Sequence, residues 1–131
     1  MKRRLQDIES FIQRDVRVAL GAKPGLVMMR NNVGHAQHVT SSGNVCRITY
    51  GLGEGSADLV GCLAGCACPH CGQTVPWGRF IAIEVKSPRG KQSEEQAQWQ
   101  RMLEANGGFY AVVRSVQEAE AAYAHAMRGA L

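Results

Sequence analysis

Residues 79–87, RFIAIEVKS, limit what this chain can fold into more than any other stretch. The run is short, apolar and rich in isoleucine and valine, which is the signature of a buried strand. PRGKQ follows as a turn, and Ser93-Glu94-Glu95-Gln96 then matches a capping box, in which the Ser93 hydroxyl takes a free backbone N–H and Gln96 reaches back. That helix is expected to run to about Ala105, with Asn106-Gly107-Gly108 as its stop. FYAVVRS, residues 109–115, is a second buried strand. Two apolar strands joined by a helix imply a right-handed parallel crossover. The fold class is therefore α/β, with a mixed sheet flanked by helices.

The rest of the chain supplies the other elements. Leu5, Ile8, Ile12, Val16 and Ala19 recur at steps of three and four, which predicts an amphipathic helix from Leu5 to Leu20, ended by Gly21. LVMM (26–29), VCRITY (45–50) and DLVGCL (58–63) are strand candidates, whereas residues 30–44 are polar and rich in turn formers and predict an exposed loop. Ser115-Val116-Gln117-Glu118 is a second capping box, opening a last helix to about Arg128. No repeat or linker divides the 131 residues, so residues 1–131 are expected to form a single domain.

The buried-strand sequence carries two charges. Along 79–87 the faces alternate, so Ile81, Ile83 and Val85 share one side and Phe80, Ala82, Glu84 and Lys86 the other. Glu84 and Lys86 thus stand together at the strand's C-terminal end, where open α/β sheets bind ligands. A solvated ion pair at a strand exit is the plain alternative. Asp58 follows the glycine-rich GLGEGSA, which suits a tight turn and a bulky substrate, or merely a turn aspartate. Gln96 in the first helical turn can face the same place, or only complete its cap. Glu9 on the first helix is a third acidic candidate, or a solvated helix charge. Two carboxylates converging on a hard cation suit phosphodiester hydrolysis, since Mg²⁺ takes oxygen ligands, keeps waters, and can polarise a phosphate.

GSADLVG, FIAIEVKSPRGKQSEEQAQW and GGFYAVVRSVQEA, with ESFIQ in the first helix and RNNVG after the first strand, resemble the VRR-NUC family of the PD-(D/E)XK nuclease superfamily. The resemblance spans nearly the whole chain and implies a restriction-endonuclease-like core. It assigns the family's helix glutamate to Glu9, its aspartate to Asp58, its (D/E)XK pair to Glu84 and Lys86, and its helix glutamine to Gln96. Val112, Val113 and Arg114 stand where the family's valine-arginine-arginine signature lies. Ala57 replaces the superfamily's proline, and a cysteine-rich insertion at 62–78 lengthens the spacing from Asp58 to Glu84. By resemblance, Asp58, Glu84 and the Val85 carbonyl bind one or two Mg²⁺ or Mn²⁺ ions and Glu9 completes the shell. Lys86 and Gln96 then place and activate the water, and the products carry a 5′-phosphate and a 3′-hydroxyl. Small members are common in phages and are similar to Holliday-junction resolvases that act as homodimers, while larger relatives cut flaps. The expectation is thus a metal-dependent endodeoxyribonuclease acting on branched DNA as a homodimer. Cleavage of flaps or single strands is the alternative among nucleases, and a zinc-stabilised DNA-binding module with an inactive nuclease fold is the alternative from another class.

Cys62, Cys66, Cys68 and Cys71 lie close together, and CPHCG reads as a zinc knuckle, with His70 able to replace one thiol. Structural zinc, free thiols and, less favourably, an iron–sulfur cluster remain open. Cys46 reads as a small apolar residue. A net charge of +4 and a pI near 9.0 suit a polyanionic partner. Arg30, Arg89, Lys91 and Arg114 are candidate phosphate contacts, as is Asn31 with its neighbours Asn32 and His35, or else solvated surface groups. No apolar run is long enough to span a membrane, and no signal-peptide core follows the basic N-terminus, so an intracellular, cytoplasmic protein, phage-encoded by the resemblance, is expected.

Overall fold

The computed structural model describes residues 2–129. The elements are α1 (Lys2–Gly21), β1 (Leu26–Arg30), β2 (Gly34–Val39), β3 (Val45–Tyr50), β4 (Leu59–Leu63), β5 (Arg79–Val85), α2 (Glu94–Ala105), β6 (Phe109–Val113) and α3 (Val116–Met127). β1, β4, β5 and β6 form a mixed sheet in that spatial order. β1 and β5 run antiparallel to β4, and β6 lies parallel to β5, as the strand–helix–strand reading requires. α2 begins with the full reciprocal capping box between Ser93 and Gln96. At α3 the Ser115 hydroxyl accepts from Glu118 N, but the Glu118 carboxylate reaches one residue further, to the N–H of Arg114.

The alternation along β5 separates two cores. Ile81, Ile83 and Val85 join Val16 and Leu20 of α1 and Ala119 and Ala126 of α3 on one side of the sheet. Ala82 joins Val60, Tyr110 and Leu103 of α2 on the other. Only the second half of α1 packs tightly. Val16 and Leu20 are fully buried, while Leu5 and Ile8 are exposed, so the first half of the helix overhangs the C-terminal end of β5.

Residues 30–44 depart from the expected loop. Gly34–Val39 pairs antiparallel with β3, from Gly34 opposite Tyr50 to Val39 opposite Val45, and Thr40–Asn44 makes the connection. Nearly every residue of this ribbon is exposed. With neither face covered there is no buried side to impose an apolar–polar alternation, so the polar GHAQHV strand carries no strand signature in its sequence. A two-stranded ribbon is marginal alone, and this one is held at its roots by Asn31.

The ribbon is consequently an appendage in energetic terms. Replacing residues 35–49 by a short Gly-Ser connection is expected to change stability by less than about 1 kcal/mol in a urea titration. Ile83→Ala, at a fully buried position, is expected to cost about 3 kcal/mol in the same measurement.

Candidate active site

Antiparallel pairing sets Leu59 opposite Ile83. Continuing that register by one residue brings Asp58 opposite Glu84, on the α2 side of the sheet. There Asp58 Oδ2 accepts the Val85 N–H at 2.8 Å, so a side chain takes the place of a strand acceptor where β4 ends. Glu84 is only 2% exposed. Its Oε1 accepts from Gln96 Nε2 at 2.6 Å and lies 3.3 Å from Lys86 Nζ. Its Oε2 is buried with no hydrogen-bond partner. Gln96 serves both candidate roles at once, because its Oε1 accepts from Ser93 N while its Nε2 holds Glu84.

Glu9 reaches the same place from α1: its Oε1 accepts the Ser87 N–H at 3.0 Å, just past Lys86. With Gln6, Asp7, Ser10, Gln13, Asp58 and Val85 it lines an open cleft of about 440 Å³. Two glycines permit this closeness. Gly55, at φ 82°, runs so near α2 that a Cβ would sit 2.5 Å from the Glu95 carbonyl oxygen, which presses the loop before Asp58 onto the helix carrying Gln96. At Gly90 a Cβ would lie 3.0 Å from Ser87 Oγ and 3.2 Å from Glu9 Oε1.

Several predicted DNA contacts have other partners. Asn31 donates its side-chain amide to Ser56 Oγ and to the Ala57 carbonyl, both at 2.8 Å, and its Oδ1 accepts the Leu52 N–H at 3.1 Å. Its own N–H bonds the Asp58 carbonyl. Asn31 therefore ties the ribbon's return strand to the loop that presents Asp58, and its amide is fully engaged within the fold. Arg114 reaches back to the Gly90 carbonyl at 2.8 Å and so braces the turn after Lys86. Nothing local in the sequence announced these roles, because the partners come from other elements. Arg30, Arg89 and Lys91 are exposed.

Burial, and then the charge of Asp58, push the Glu84 carboxyl up to about 7, with Lys86 opposing. Asp58 is also raised, chiefly by burial, against the Val85 N–H and Lys86. Two carboxylates sharing a poorly solvated pocket, one with an orphan oxygen, present the field a divalent cation relieves. Among the described residues no three His, Cys, Asp or Glu side chains stand close enough to cage an ion.

The same holds of the cysteines: among the described residues their thiols do not stand together as a group that could hold an ion. Cys66 is built into the α1–α3 core, its thiol donating to the Leu63 carbonyl at 3.6 Å, and burial raises its pKa. Cys62 lies within β4 and is exposed. Cys68 and Cys71 meet at the tip of the insertion, where the backbone N–H groups of His70 and Cys71 lower the pKa of Cys68. Of the four thiols, Cys66 is thus packed into the core while Cys68 and Cys71 meet at the tip.

A family model, the VRR-NUC domain, matches residues 9–117. The chain belongs to the VRR-NUC family. That span runs from Glu9 past the start of α3, and so contains every acidic residue of the cleft except Asp7. No curated protein and no solved structure matches the chain significantly. Membership in a nuclease family, together with the carboxylates, lysine and glutamine at one end of the sheet, makes this VRR-NUC domain a nuclease domain. Among the described residues no helix is long and apolar enough to cross a membrane.

Two outcomes follow for this site. A carboxyl whose folded pKa lies above its unfolded value stabilises at low pH, and that contribution is lost as pH rises from 4.5 through about 7. In EDTA, Glu84→Gln is therefore expected to melt above the wild type at pH 8, by roughly 3 °C or more, with the difference vanishing near pH 5. Asn31→Ala is expected to lower kcat by about 10- to 100-fold with KM kept, as loss of a ligand-orienting partner does. Loss of DNA affinity with kcat kept would instead mark Asn31 as a DNA contact.

Proposed function

We propose that this VRR-NUC domain is a divalent-metal-dependent, structure-selective DNA endonuclease that acts on Holliday junctions as a homodimer. The observation that carries the reading is the buried Glu84, paired to Lys86 and Gln96, opposite Asp58 at the open end of the sheet.

Asp58 and Glu84, with the Val85 carbonyl, are the residues that would hold Mg²⁺ or Mn²⁺, while Glu9 braces the turn after Lys86 from α1 through the Ser87 N–H. The bound ion supplies Lewis acidity toward the phosphate and lowers the pKa of water. Gln96 fixes Glu84 through Oε1 and leaves Oε2 free for a ligand. The Lys86 ammonium, largely buried and held by Glu84, keeps its donors at the reacting phosphate, where it neutralises charge and orients the attacking water. Water attacks phosphorus and the bond to O3′ breaks, leaving a 5′-phosphate and a 3′-hydroxyl. Two copies related by a two-fold axis would present two such sites, matching the paired strands of a four-way junction. The mildly basic charge favours recognition through phosphates and branched shape rather than base sequence.

The test is cleavage of four-way junctions, flaps, single strands and duplex with Mg²⁺ or Mn²⁺. Paired symmetric nicks in the junction are expected, with Glu84→Ala and Lys86→Ala each lowering kcat/KM by roughly 100-fold or more. Cleavage confined to flaps or single strands would replace the junction as substrate. Binding without cleavage, by wild type and Glu84→Ala alike, would make the domain a DNA-binding module.

A further inference from the structure

We propose that the groove between α1 and the end of β1 is a binding track for the phosphodiester backbone of the substrate strand, entering the carboxylate cleft from the side of Arg17 and Arg30. The proposal rests on the nuclease reading above and extends it to a site outside the acidic centre.

The groove, of about 360 Å³, is lined by Ser10, Gln13, Arg14, Arg17, Val18 and Arg30. Ser10 and Gln13 line the carboxylate cleft as well, so the two depressions meet on α1. Gln6, Ser10, Gln13 and Arg17 follow steps of four, three and four, which stacks them on one face of a helix. A polar ridge thus runs beside both depressions, acidic at the Glu9 end and cationic at the Arg17 end. Arg30 closes the far wall. It lies on the last residue of β1, opposite Leu59, and the next residue, Asn31, bonds the Asp58 carbonyl. The cationic end is therefore built on the same strand pair that presents Asp58.

Charge selects the ligand. Among the described residues neither Arg17 nor Arg30 takes part in a side-chain hydrogen bond or an ion pair with another group; the four ion pairs found involve Arg14, Lys23, Lys86 and Arg101. Arg14 is engaged by Asp15 and stacked on Phe11, which leaves it the smaller role. Two guanidinium groups flanking a concave wall whose third arginine, Arg14, is paired with Asp15 suit phosphate diesters, which they can grip through paired N–H donors. Spacing agrees. Glu9 to Arg17 is about 12 Å along a helix at 1.5 Å per residue. A stacked strand rises about 3.4 Å per nucleotide. The arginines would thus meet phosphates roughly three to four nucleotides from the one at the carboxylates.

The experiment measures binding of a labelled four-way junction in Ca²⁺ across a salt series, alongside cleavage kinetics in Mg²⁺. Arg17→Ala/Arg30→Ala is expected to reduce the slope of log K against log salt by about two, roughly one per lost phosphate contact. It should also raise KM by about tenfold or more with the loss falling on KM rather than kcat. Arg17→Lys/Arg30→Lys should restore most of the slope, which a merely structural role would not predict. Arg128→Ala, outside both depressions, removes one charge and should leave the slope unchanged. A double-alanine variant that melts like wild type yet keeps the wild-type slope and KM overturns the track. A wild type that cuts normally in that case leaves the nuclease reading standing. A wild type that cuts no DNA, while the slope still falls in the double variant, sinks the nuclease reading and keeps the groove as a nucleic-acid site.

Discussion

A glutamate buried at the end of a central strand dictates the arrangement around it. Removing a carboxylate from water is costly unless it is paired and hydrogen-bonded. Glu84 meets that demand on one oxygen only: Gln96 and Lys86 both address Oε1, and Oε2 is buried without a hydrogen-bond partner. Asp58, opposite, adds a second negative charge rather than a compensating one. The metal-free site is therefore left with unbalanced negative charge, and a proton or a hard cation is what restores balance. A carboxyl driven to about 7 holds a proton near neutrality that a divalent cation can displace, so affinity for the ion and pH are linked through this residue.

Holding two carboxylates together against their repulsion requires supports on several sides. The Val85 N–H fixes Asp58 from the strand. Asn31 fixes the loop before Asp58 from β1. Glu9 and Arg114 fix the turn after Lys86 from α1 and from the start of α3. The supports therefore come from every layer of the fold. α1 contributes most economically, because its second half is anchored by Val16 and Leu20 while its first half projects Glu9 over the strand end. The exposed Leu5 and Ile8 are the consequence of that overhang.

Legibility in the sequence followed burial. β5, α2 and β6 could be read because their patterns are set by a packed face on one or both sides and by a cap that sits within four residues. Glu84, Lys86, Gln96 and Asp58 could be placed because alternation and register act over short distances. The β2–β3 ribbon could not, because it packs on nothing and so carries no periodic imprint. The cysteines, too, divide according to burial. Spacing along the chain suggested one cluster, but Cys66 is a core residue whose neighbours are Leu63 and the helices, and only Cys68 and Cys71 meet at the tip. Asn31 looked like a surface group since its partners, Leu52, Ser56 and Ala57, are close only after the ribbon has folded back.

The distribution of cations completes the argument. Within the carboxylate site the one cation is Lys86, and its charge is already shared with Glu84. A phosphate approaching Asp58, Glu84 and Glu9 without a metal would meet net repulsion. Arg17, Arg30, Arg89 and Lys91 stand outside that centre, exposed, and among the described residues none of them forms an ion pair with the cleft acids. Attraction thus lies at the rim and repulsion at the centre; under the proposed function, backbone phosphates would dock at the rim and a divalent ion held by the carboxylates would offset the repulsion at the centre. With the two separated in this way, that function would depend on the ion more steeply in cleavage than in docking.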